Sequence, residues 1–263
     1  MAAEAPAAGH VFADASLDNS QSASECECLF ADDDLLVLHK PCGLLCVPGR
    51  GPDKQDCLSA RALARWPEAL VVHRLDQATS GIVLMARHAQ AQRALGDAFA
   101  ERRVDKRYEA VVQGLPLAQR PDTHPSDTQP PDTQTPDRQL PDNADTASEV
   151  WNTIDLPIAA DWDRRPLRVI DAAAGKPSLT RWRALAHDCT AQTTRVELQP
   201  VTGRTHQLRV HLAAIGHPIL GDALYADPAV QARAPRLLLH ARQIAFTHPR
   251  TGQPMAFSRP APF

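Results

Sequence analysis

The segment 71–81 (VVHRLDQATSG) carries an aspartate that could act in catalysis, with a histidine and an arginine just before it. His73, Arg74 and Asp76 follow two valines and precede the apolar run GIVLMA, so one strand ends in a turn and another begins. Functional side chains often lie on such loops because the sheet below holds them. An aspartate in a turn also commonly hydrogen-bonds its own backbone, so this segment alone favours a structural turn over a catalytic site.

A second candidate segment, 201–222, reads VTGRTHQLRVHLAAIGHPILGD and places basic side chains around the start of a helix. Gly203 permits a tight turn, and Arg204 follows it where backbone N–H groups and the helix dipole favour an anion. Arg209 and His211 come next, on the helix itself. The segment is suited to hold a phosphate or to orient a carboxylate. A capped amphipathic helix with a solvated basic face would have the same pattern.

Apolar periodicity predicts both strands and helices around these two segments. It predicts strands at 35–39, 81–86, 106–112, 194–198 and 243–247, and helices at 58–66, 89–100 and 206–215. The strand at 106–112 alternates, which places Tyr108 on one side of a sheet and Arg107 on the other. Because strands and helices do not alternate regularly along the chain, we expect an α+β fold with a mainly antiparallel sheet.

The charge of the 263-residue chain is unevenly distributed, although its net value is only −3. Residues 1–34 carry eight acidic side chains and no Lys or Arg, and residues 119–149 carry seven acids and two arginines. The remaining residues therefore carry a net charge of +10. A basic body with two acidic appendages suits a polyanionic partner, and ordinary solvated surface charge is the alternative.

Two segments are too polar to bury a core, so the chain is predicted to form one domain with two appendages. We expect residues 1–28 to be a disordered acidic tail and residues 29–263 to be one catalytic domain, interrupted by an insertion at about 119–149. Aspartate recurs every five residues through the Pro- and Thr-rich insertion, from Asp122 to Asp142, which is typical of a flexible linker.

The sequence lacks the features of secreted, membrane-spanning and zinc proteins. No apolar run is long enough to cross a membrane, and the N-terminal segment has neither the basic nor the apolar stretch of a signal peptide. We therefore expect a cytoplasmic protein with reduced thiols. The six cysteines include no CxxC pair, so a zinc site is not expected.

Six separated motifs resemble the RluA family of pseudouridine synthases in their order and spacing. They cover about residues 30–263 apart from the insertion, and we expect no S4-type RNA-binding domain. The motifs are KPCGLL at 40–45, HRLDQATSG at 73–81, Lys106-x-Tyr108-x-Ala110, GRTHQLRVH at 203–211, GHPILGD at 216–222 and LHA at 239–241. One motif alone would be weak evidence, but the ordered set is specific.

The resemblance implies a pseudouridine synthase fold, with helices flanking a mixed, mainly antiparallel sheet and a basic cleft across its middle. It implies that Asp76 is the essential carboxylate, that Arg204 is its ion-pair partner and that Tyr108 lies against the target uracil. Arg74 is expected to fill the space left by the extruded base or to contact the phosphate backbone. The other residues expected to bind RNA or to support the site are His73, Thr79, Lys106, His206, Gln207 and Arg209.

The implied reaction is the isomerisation of uridine to pseudouridine in structured RNA, without a cofactor or a metal. The bond between ribose C1′ and uracil N1 breaks, the base rotates, and C1′ joins uracil C5. The expected partners are the tRNA anticodon loop, 23S rRNA or both, and the protein is expected to act as a monomer. Two alternatives stay open: a synthase of the same family for other large-subunit rRNA uridines, and an RNA-binding protein on this fold that has lost catalysis.

Overall fold

The computed structural model describes residues 26–114 and 150–263. No helix within these two ranges is long and apolar enough to cross a membrane. The elements, in chain order, are β1 (Glu27–Ala31), β2 (Leu35–Lys40), a short 3-10 helix (Pro52–Lys54), α1 (Leu58–Arg65), β3 (Leu70–Val71), β4 (Ser80–Ala86), α2 (Ala89–Ala100), β5 (Asp105–Gln113), β6 (Asn152–Asp155), β7 (Ile158–Ala160), β8 (Arg168–Ile170), β9 (Leu179–Asp188), β10 (Thr193–Pro200), α3 (Gln207–Ala214), α4 (Pro228–Gln231), β11 (Leu239–Thr247) and β12 (Pro254–Ser258).

One large mixed sheet carries most of these strands. Its strands lie in the order β1-β2-β4-β11-β5-β10-β9-β6, with β3 beside β4 and β12 beside β11. Neighbouring strands are antiparallel throughout the described part of this sheet, except that β4 and β11 run parallel. β7 and β8 form a separate hairpin. This mainly antiparallel sheet with flanking helices confirms the predicted α+β fold.

The helices cover the sheet at three places. Strands β2 and β4 are buried on both faces, with α1 on one side and α2 on the other, which explains their continuous apolar sequences. A third cluster of apolar side chains fills the space between α3 and strands β5 and β10. Leu208 and Leu212 of α3 belong to that cluster, as their helical spacing predicts. The packing of α3 on the sheet fixes the direction of its remaining side chains.

Every predicted helix and strand is present, and α2 matches its predicted range at both ends. Strand β9 is the longest element that the sequence analysis did not predict. Its inward positions are held by Thr180, Trp182 and Ala184, of which only the tryptophan is large and apolar. The strand is specified by pairing with β10 and β6 on its two sides rather than by its own hydrophobic pattern.

The ordered body starts before the predicted boundary at residue 29. Cys26 is buried, and β1 begins at Glu27, where it pairs with β2. The acidic composition of this segment does not indicate a strand, but Glu27 is ion-paired with Arg259, and its carboxylate lies 2.9 Å from Nδ1 of His39. The rest of the predicted tail, residues 1–25, and the insertion at 119–149 lie outside the described residues.

Gly81 marks a close approach of β4 to β11. The two strands pair in parallel at Ser80 with His240 and at Gly81 with Ala241, and Gly81 has a φ of +124°. A Cβ added at this position would overlap the backbone of Ala241. Glycine is therefore required here for both its conformation and its size.

Gly81→Ala is expected to destabilise the protein by at least about 2 kcal/mol, because it adds backbone strain and a clash that only a separation of β4 from β11 can relieve. Gly96→Ala is the matched control. Gly96 lies in α2 with open space where a Cβ would be, so the same change should stabilise by about 0.5–1 kcal/mol. Urea denaturation measures both effects, and equal midpoints for the two variants would contradict the packing described.

Candidate active site

Asp76 lies in a turn between β3 and β4, as the sequence predicts. The Thr79 N–H donates to the Asp76 carbonyl at 3.1 Å and closes this turn. The Asp76 side chain is 26% exposed, so its carboxylate is accessible from one side only. Thr79 is buried at the wall of the cleft, where it supports the turn.

Lys40 fixes this turn from beneath. Its ammonium is buried and donates to the carbonyls of Pro41 at 2.9 Å, Leu44 at 2.7 Å and Gln77 at 3.0 Å. Burial lowers the pKa of Lys40 to about 8. The three bonds join the KPCGLL motif to the turn that carries Asp76. Lys40 is therefore a positioning residue. Its place in the KPCGLL motif does not by itself reveal this role.

Arg209 is the cation that faces Asp76. Its Nη1 lies 3.7 Å from Oδ2 of Asp76, while its Nε and Nη2 bind both oxygens of Asp222 at 2.8 and 2.6 Å. Arg209 and Asp222 are both buried, so removing the arginine would leave the Asp222 carboxylate buried without its cation, at large cost. Asp222 thus fixes the position of the guanidinium, and the remaining nitrogen of the guanidinium faces Asp76.

The predicted ion pair between Arg204 and Asp76 is wrong. Among the described residues, the arginine that pairs with Asp76 is Arg209, and Nε2 of His206 lies 4.0 Å from Oδ1. Arg204 is exposed, and its Nε donates to the Pro177 carbonyl at 3.4 Å. The reason is geometric, because α3 begins only after Arg204 and the first turn of the helix carries Arg209 to the carboxylate.

Gln207 holds the loop that carries Arg204. Its Oε1 accepts from the Thr202 hydroxyl at 2.7 Å and from the Arg204 N–H at 3.0 Å. Its Nε2 donates to the Leu179 carbonyl and to the Thr180 hydroxyl, both at 3.0 Å. Both polar atoms of its side chain are thus engaged within the protein, and Gln207 supports the loop at the cleft.

The basic face of α3 is not solvated, contrary to one interpretation of the sequence. Arg209 and His211 are both buried. The ring nitrogens of His211 lie 2.9 Å from the Thr180 hydroxyl and 2.9 Å from the Leu156 carbonyl. Strands β8, β9 and β10 pack against this helix and exclude water from it. His211 is therefore a core residue.

His206 joins the site to a tyrosine that the sequence analysis did not identify. It adopts a left-handed conformation, with φ 58°, just before α3. Its Nδ1 lies 2.6 Å from the hydroxyl of Tyr225, which also accepts the backbone N–H of Arg168 at 2.9 Å. Burial lowers the pKa of His206 and favours a neutral ring. Tyr225 follows the GHPILGD motif at a position that no spacing rule singles out.

Tyr108 lies on β5 and lines the same cleft as Asp76. Burial raises the pKa of its phenol well above the ordinary value, and the negative charge of Asp76 adds to the rise. The phenol is therefore protonated at neutral pH and can donate a hydrogen bond into the cleft. The structure brings these two side chains together although more than thirty residues separate them in sequence.

His73 supports the sheet beside the turn. Its Nε2 accepts the backbone N–H of Leu84 on β4 at 2.9 Å, and its ring stacks on Phe99 with centroids 4.5 Å apart. Burial, together with the nearby Lys106, lowers the pKa of His73 to about 3. The ring is therefore neutral, with its proton on Nδ1. The Lys106 ammonium lies over the same Phe99 ring, 5.7 Å from its centroid.

The cleft around Asp76 encloses about 1070 Å³ and is basic. Of the described side chains that line it, Asp76 is the one acid, and the Lys and Arg side chains are Arg74, Lys106, Arg204, Arg209 and Arg236. Arg74 is exposed, so it is free to contact a phosphate or to occupy the place of a displaced base. This charge balance attracts a polyanion and leaves a single carboxylate for chemistry.

One group of side chains outside the cleft has ligand atoms close enough together for a metal ion. Within the described residues, Asp32, Asp34 and His248 bring such atoms to within 4.8 Å of one another. These atoms are already engaged, because His248 lies 2.9 Å from an Asp32 oxygen and the Arg250 Nε binds Asp34 at 2.7 Å. The group joins the β1–β2 turn to the end of β11, and we assign it a structural role.

Comparison with known proteins defines the class of enzyme. The family model described as RNA pseudouridylate synthase matches residues 34–214, which is most of the chain. The chain therefore belongs to the RNA pseudouridylate synthase family, and it is an isomerase that acts on RNA.

Within this family, the chain is similar to proteins named dual-specificity RNA pseudouridine synthase RluA. It is 40% identical to the one from Escherichia coli strain K12 over 235 residues, which cover 89% of this chain and 93% of the relative. It is 41% identical to the one from Yersinia pestis, with 89% and 98% covered. The solved structure of human RNA pseudouridylate synthase domain containing 1 is 27% identical, with a TM-score of 0.66 over 92% of this chain and 86% of that chain. The family predicted from the motifs is confirmed.

Arg209→Lys is expected to lower kcat for pseudouridine formation by at least about tenfold, because an ammonium cannot bind Asp222 through two parallel bonds and also face Asp76. Arg204→Lys is the matched control in the same motif, and it should change kcat by less than about threefold, since the Arg204 side chain is exposed. Single-turnover kinetics with saturating RNA measures both, and thermal unfolding checks that each variant is folded. A larger loss of kcat for Arg204→Lys than for Arg209→Lys would indicate that Arg204, and not Arg209, pairs with Asp76.

His73→Gln is expected to reduce the loss of stability in acid. The pKa of His73 is near 6.5 in the unfolded chain, whereas in the folded state it is lowered to about 3 and the ring stays neutral above that pH. The contribution of His73 is therefore complete above pH 6.5 and is lost as the pH falls toward 3, because only the unfolded state takes up the proton in that window. Glutamine does not titrate and still offers an oxygen to the Leu84 N–H.

The measurement is the free energy of unfolding in urea at several pH values across this window. His187→Gln, a change at an exposed histidine, serves as the control and should keep the acid slope of the wild type. If His73→Gln also kept that slope, the buried neutral ring would not be the source of the acid sensitivity.

Proposed function

We propose that the chain isomerises uridines in the tRNA anticodon loop and in 23S rRNA, with Asp76 as the essential carboxylate. The observation that carries the proposal is the position of Asp76, which faces the buried Arg209 in a cleft whose other charged lining residues are cations. The relatives are named as dual-specificity enzymes, which supports two kinds of RNA substrate for this chain as well.

The chemistry needs one ionised carboxylate and no redox partner. Asp76 attacks ribose C1′, adds to the uracil, or removes the C2′ proton to give a glycal, and each route begins from the anion. Arg209 favours that anion at 3.7 Å. After the C1′–N1 bond breaks, the uracil rotates within the enclosed cleft and C5 bonds to C1′. The last step is transfer of the C5 proton to N1, so atoms and electrons balance within the substrate.

Tyr108 lies against the uracil in this proposal and helps to remove the C5 proton. Its raised pKa means that the phenol begins protonated, so it first acts as a hydrogen-bond donor to the base. Because the raised pKa disfavours a free phenolate, Tyr108 acts as a relay: its oxygen accepts the C5 proton as its own proton passes to the Asp76 carboxylate. Asp76 has returned to the carboxylate by this stage on each of the three routes, and the proton then goes to N1.

The target uridine must leave its stack to reach Asp76, at a cost of a few kcal/mol that is smallest in a loop. Arg74 is exposed at the cleft and occupies the space of the extruded base, or contacts the neighbouring phosphate. The cations of the cleft offset part of the cost through phosphate contacts, so binding weakens as salt is added.

The proposed enzyme acts as a monomer in the cytoplasm, where tRNA and ribosomal RNA are found. Support for a monomer comes from the site itself, since one chain supplies the carboxylate, the arginine and the tyrosine.

Asp76→Asn is expected to abolish pseudouridine formation while the affinity for RNA changes by less than about threefold, because the amide keeps the shape of the side chain but cannot act as an anion. Asp53→Asn is the control, since Asp53 is exposed in the short 3-10 helix. The measurement is a map of pseudouridine in tRNA and 23S rRNA from a strain that lacks the endogenous enzyme and expresses each variant.

If Asp76→Asn restored all of the modified sites, Asp76 would not be the essential carboxylate of the reaction. Restoration by the wild type of sites in large-subunit rRNA alone, with none in tRNA, would refute the tRNA half of the assignment while leaving the isomerase activity intact.

A further inference from the structure

The β7–β8 hairpin presents an exposed tryptophan at its tip. Trp162 is 70% exposed, more than Leu63 or Val150, the other large hydrophobic side chains that are exposed in the described residues. An isolated exposed aromatic side chain is common on protein surfaces and carries no conclusion alone. Three further features of this hairpin distinguish Trp162.

The first feature is a guanidinium stacked on the indole. The Arg165 guanidinium carbon lies 4.1 Å from the ring centroid of Trp162. Since the tryptophan is 70% exposed, the arginine covers part of its surface and leaves the rest open to a flat ligand. Unpaired RNA bases stack on aromatic rings and on guanidinium planes, and a stacked pair of the two is a surface of this type.

The second feature is the order of the hairpin tip. The Asp161 carboxylate accepts from the backbone N–H of Arg164 at 3.0 Å and from its Nε at 2.8 Å. The backbone of Asp161 also donates to the Leu167 carbonyl at 3.1 Å, and Leu167 donates to the Arg164 carbonyl at 2.9 Å. These bonds order the backbone of the tip around Trp162 before any ligand arrives, which lowers the entropy cost of binding.

The third feature is the connection of the hairpin to the cleft. Pro166 of the tip lines the cleft around Asp76. At the base of the hairpin, the Arg168 N–H donates to the Tyr225 hydroxyl, which is hydrogen-bonded to His206. The Nε of Arg168 is also buried and has no hydrogen-bond partner among the described residues. A chain of contacts thus runs from the catalytic carboxylate to the hairpin.

We propose that the β7–β8 hairpin is a second RNA-binding element, on which an unpaired base near the target uridine stacks against the open face of Trp162. The inference rests on the proposed RNA isomerase function and adds a contact outside the catalytic cleft. The ligand is a nucleobase because the hairpin borders the cleft that takes RNA and pairs an aromatic ring with arginine. Trp162 contributes to RNA affinity and to the choice of loop sequence, and it takes no part in the bond rearrangement.

Trp162→Ala should raise KM for an RNA stem-loop substrate by about 5- to 150-fold, the range that loss of one stacked base gives, with kcat unchanged within about threefold. Trp162→Phe keeps a stacking ring and should retain most of the affinity. Trp151→Ala is the matched control, because Trp151 is half-buried, has three arginines over its ring and lies outside the β7–β8 hairpin. Thermal unfolding establishes that each variant is folded.

A photocrosslink gives direct evidence of the contact. RNA in which loop uridines are replaced by 5-iodouridine should crosslink to the peptide that contains Trp162 in the wild type, and this adduct should be missing in Trp162→Ala. Sedimentation of the RNA-free protein tests whether the tryptophan instead contacts a second copy of the chain.

The inference is overturned if Trp162→Ala binds RNA like the wild type, if Trp151→Ala weakens binding equally, or if Trp162→Ala changes the sedimenting mass. Each of these results leaves pseudouridine formation by the wild type intact, so the proposed function survives them. A wild-type protein that forms no pseudouridine in any RNA would overturn the proposed function and this inference together.

Discussion

The Arg209 guanidinium lies between two carboxylates, and the rest of the site depends on this arrangement. Asp222 is fully satisfied, because it binds the guanidinium through two oxygens and also accepts the backbone N–H groups of Leu224 and Tyr225 at 2.9 and 3.2 Å. Asp76 receives only the looser contact at 3.7 Å. One buried cation thus makes Asp222 structural and leaves Asp76 with oxygen lone pairs that the described residues do not fill. This asymmetry is why the proposed chemistry is assigned to Asp76 rather than to Asp222.

The two halves of the sheet meet at this ion pair. The turn with Asp76 belongs to the half built on β2 and β4, whereas Arg209 belongs to α3, which packs on β5 and β10. Strand β11 joins the halves, in parallel to β4 through Gly81 and antiparallel to β5. A side chain at position 81 would therefore disturb the site from a distance, by changing the separation of the two halves. The cleft lies at this junction, so it forms only when the whole sheet has formed.

The sequence was sufficient for the elements with strong apolar patterns and for the family, which the motif spacing identified. The role of Asp76 stays a prediction that rests on that family. The sequence could not decide between Arg204 and Arg209, since both belong to one motif and only the first residue of α3 determines which one reaches the carboxylate. Lys40 and Tyr225 were missed for a different reason. A buried lysine that donates to three carbonyls, or a tyrosine bonded to a histidine on another loop, is defined by tertiary contacts and leaves no local pattern.

The imidazole of His73 occupies a place on β4 that a neighbouring strand would otherwise fill. Along one edge of β4, β11 pairs at Ser80 and Gly81, β3 pairs at Met85 and Ala86, and the Leu84 N–H between them is bonded by His73. Leu84 is fully buried, so without the imidazole this donor would be unpaired away from water, at a cost of about 1–3 kcal/mol. The side chain that supports the turn with Asp76 therefore also completes the hydrogen bonding of β4 where neither neighbouring strand reaches it.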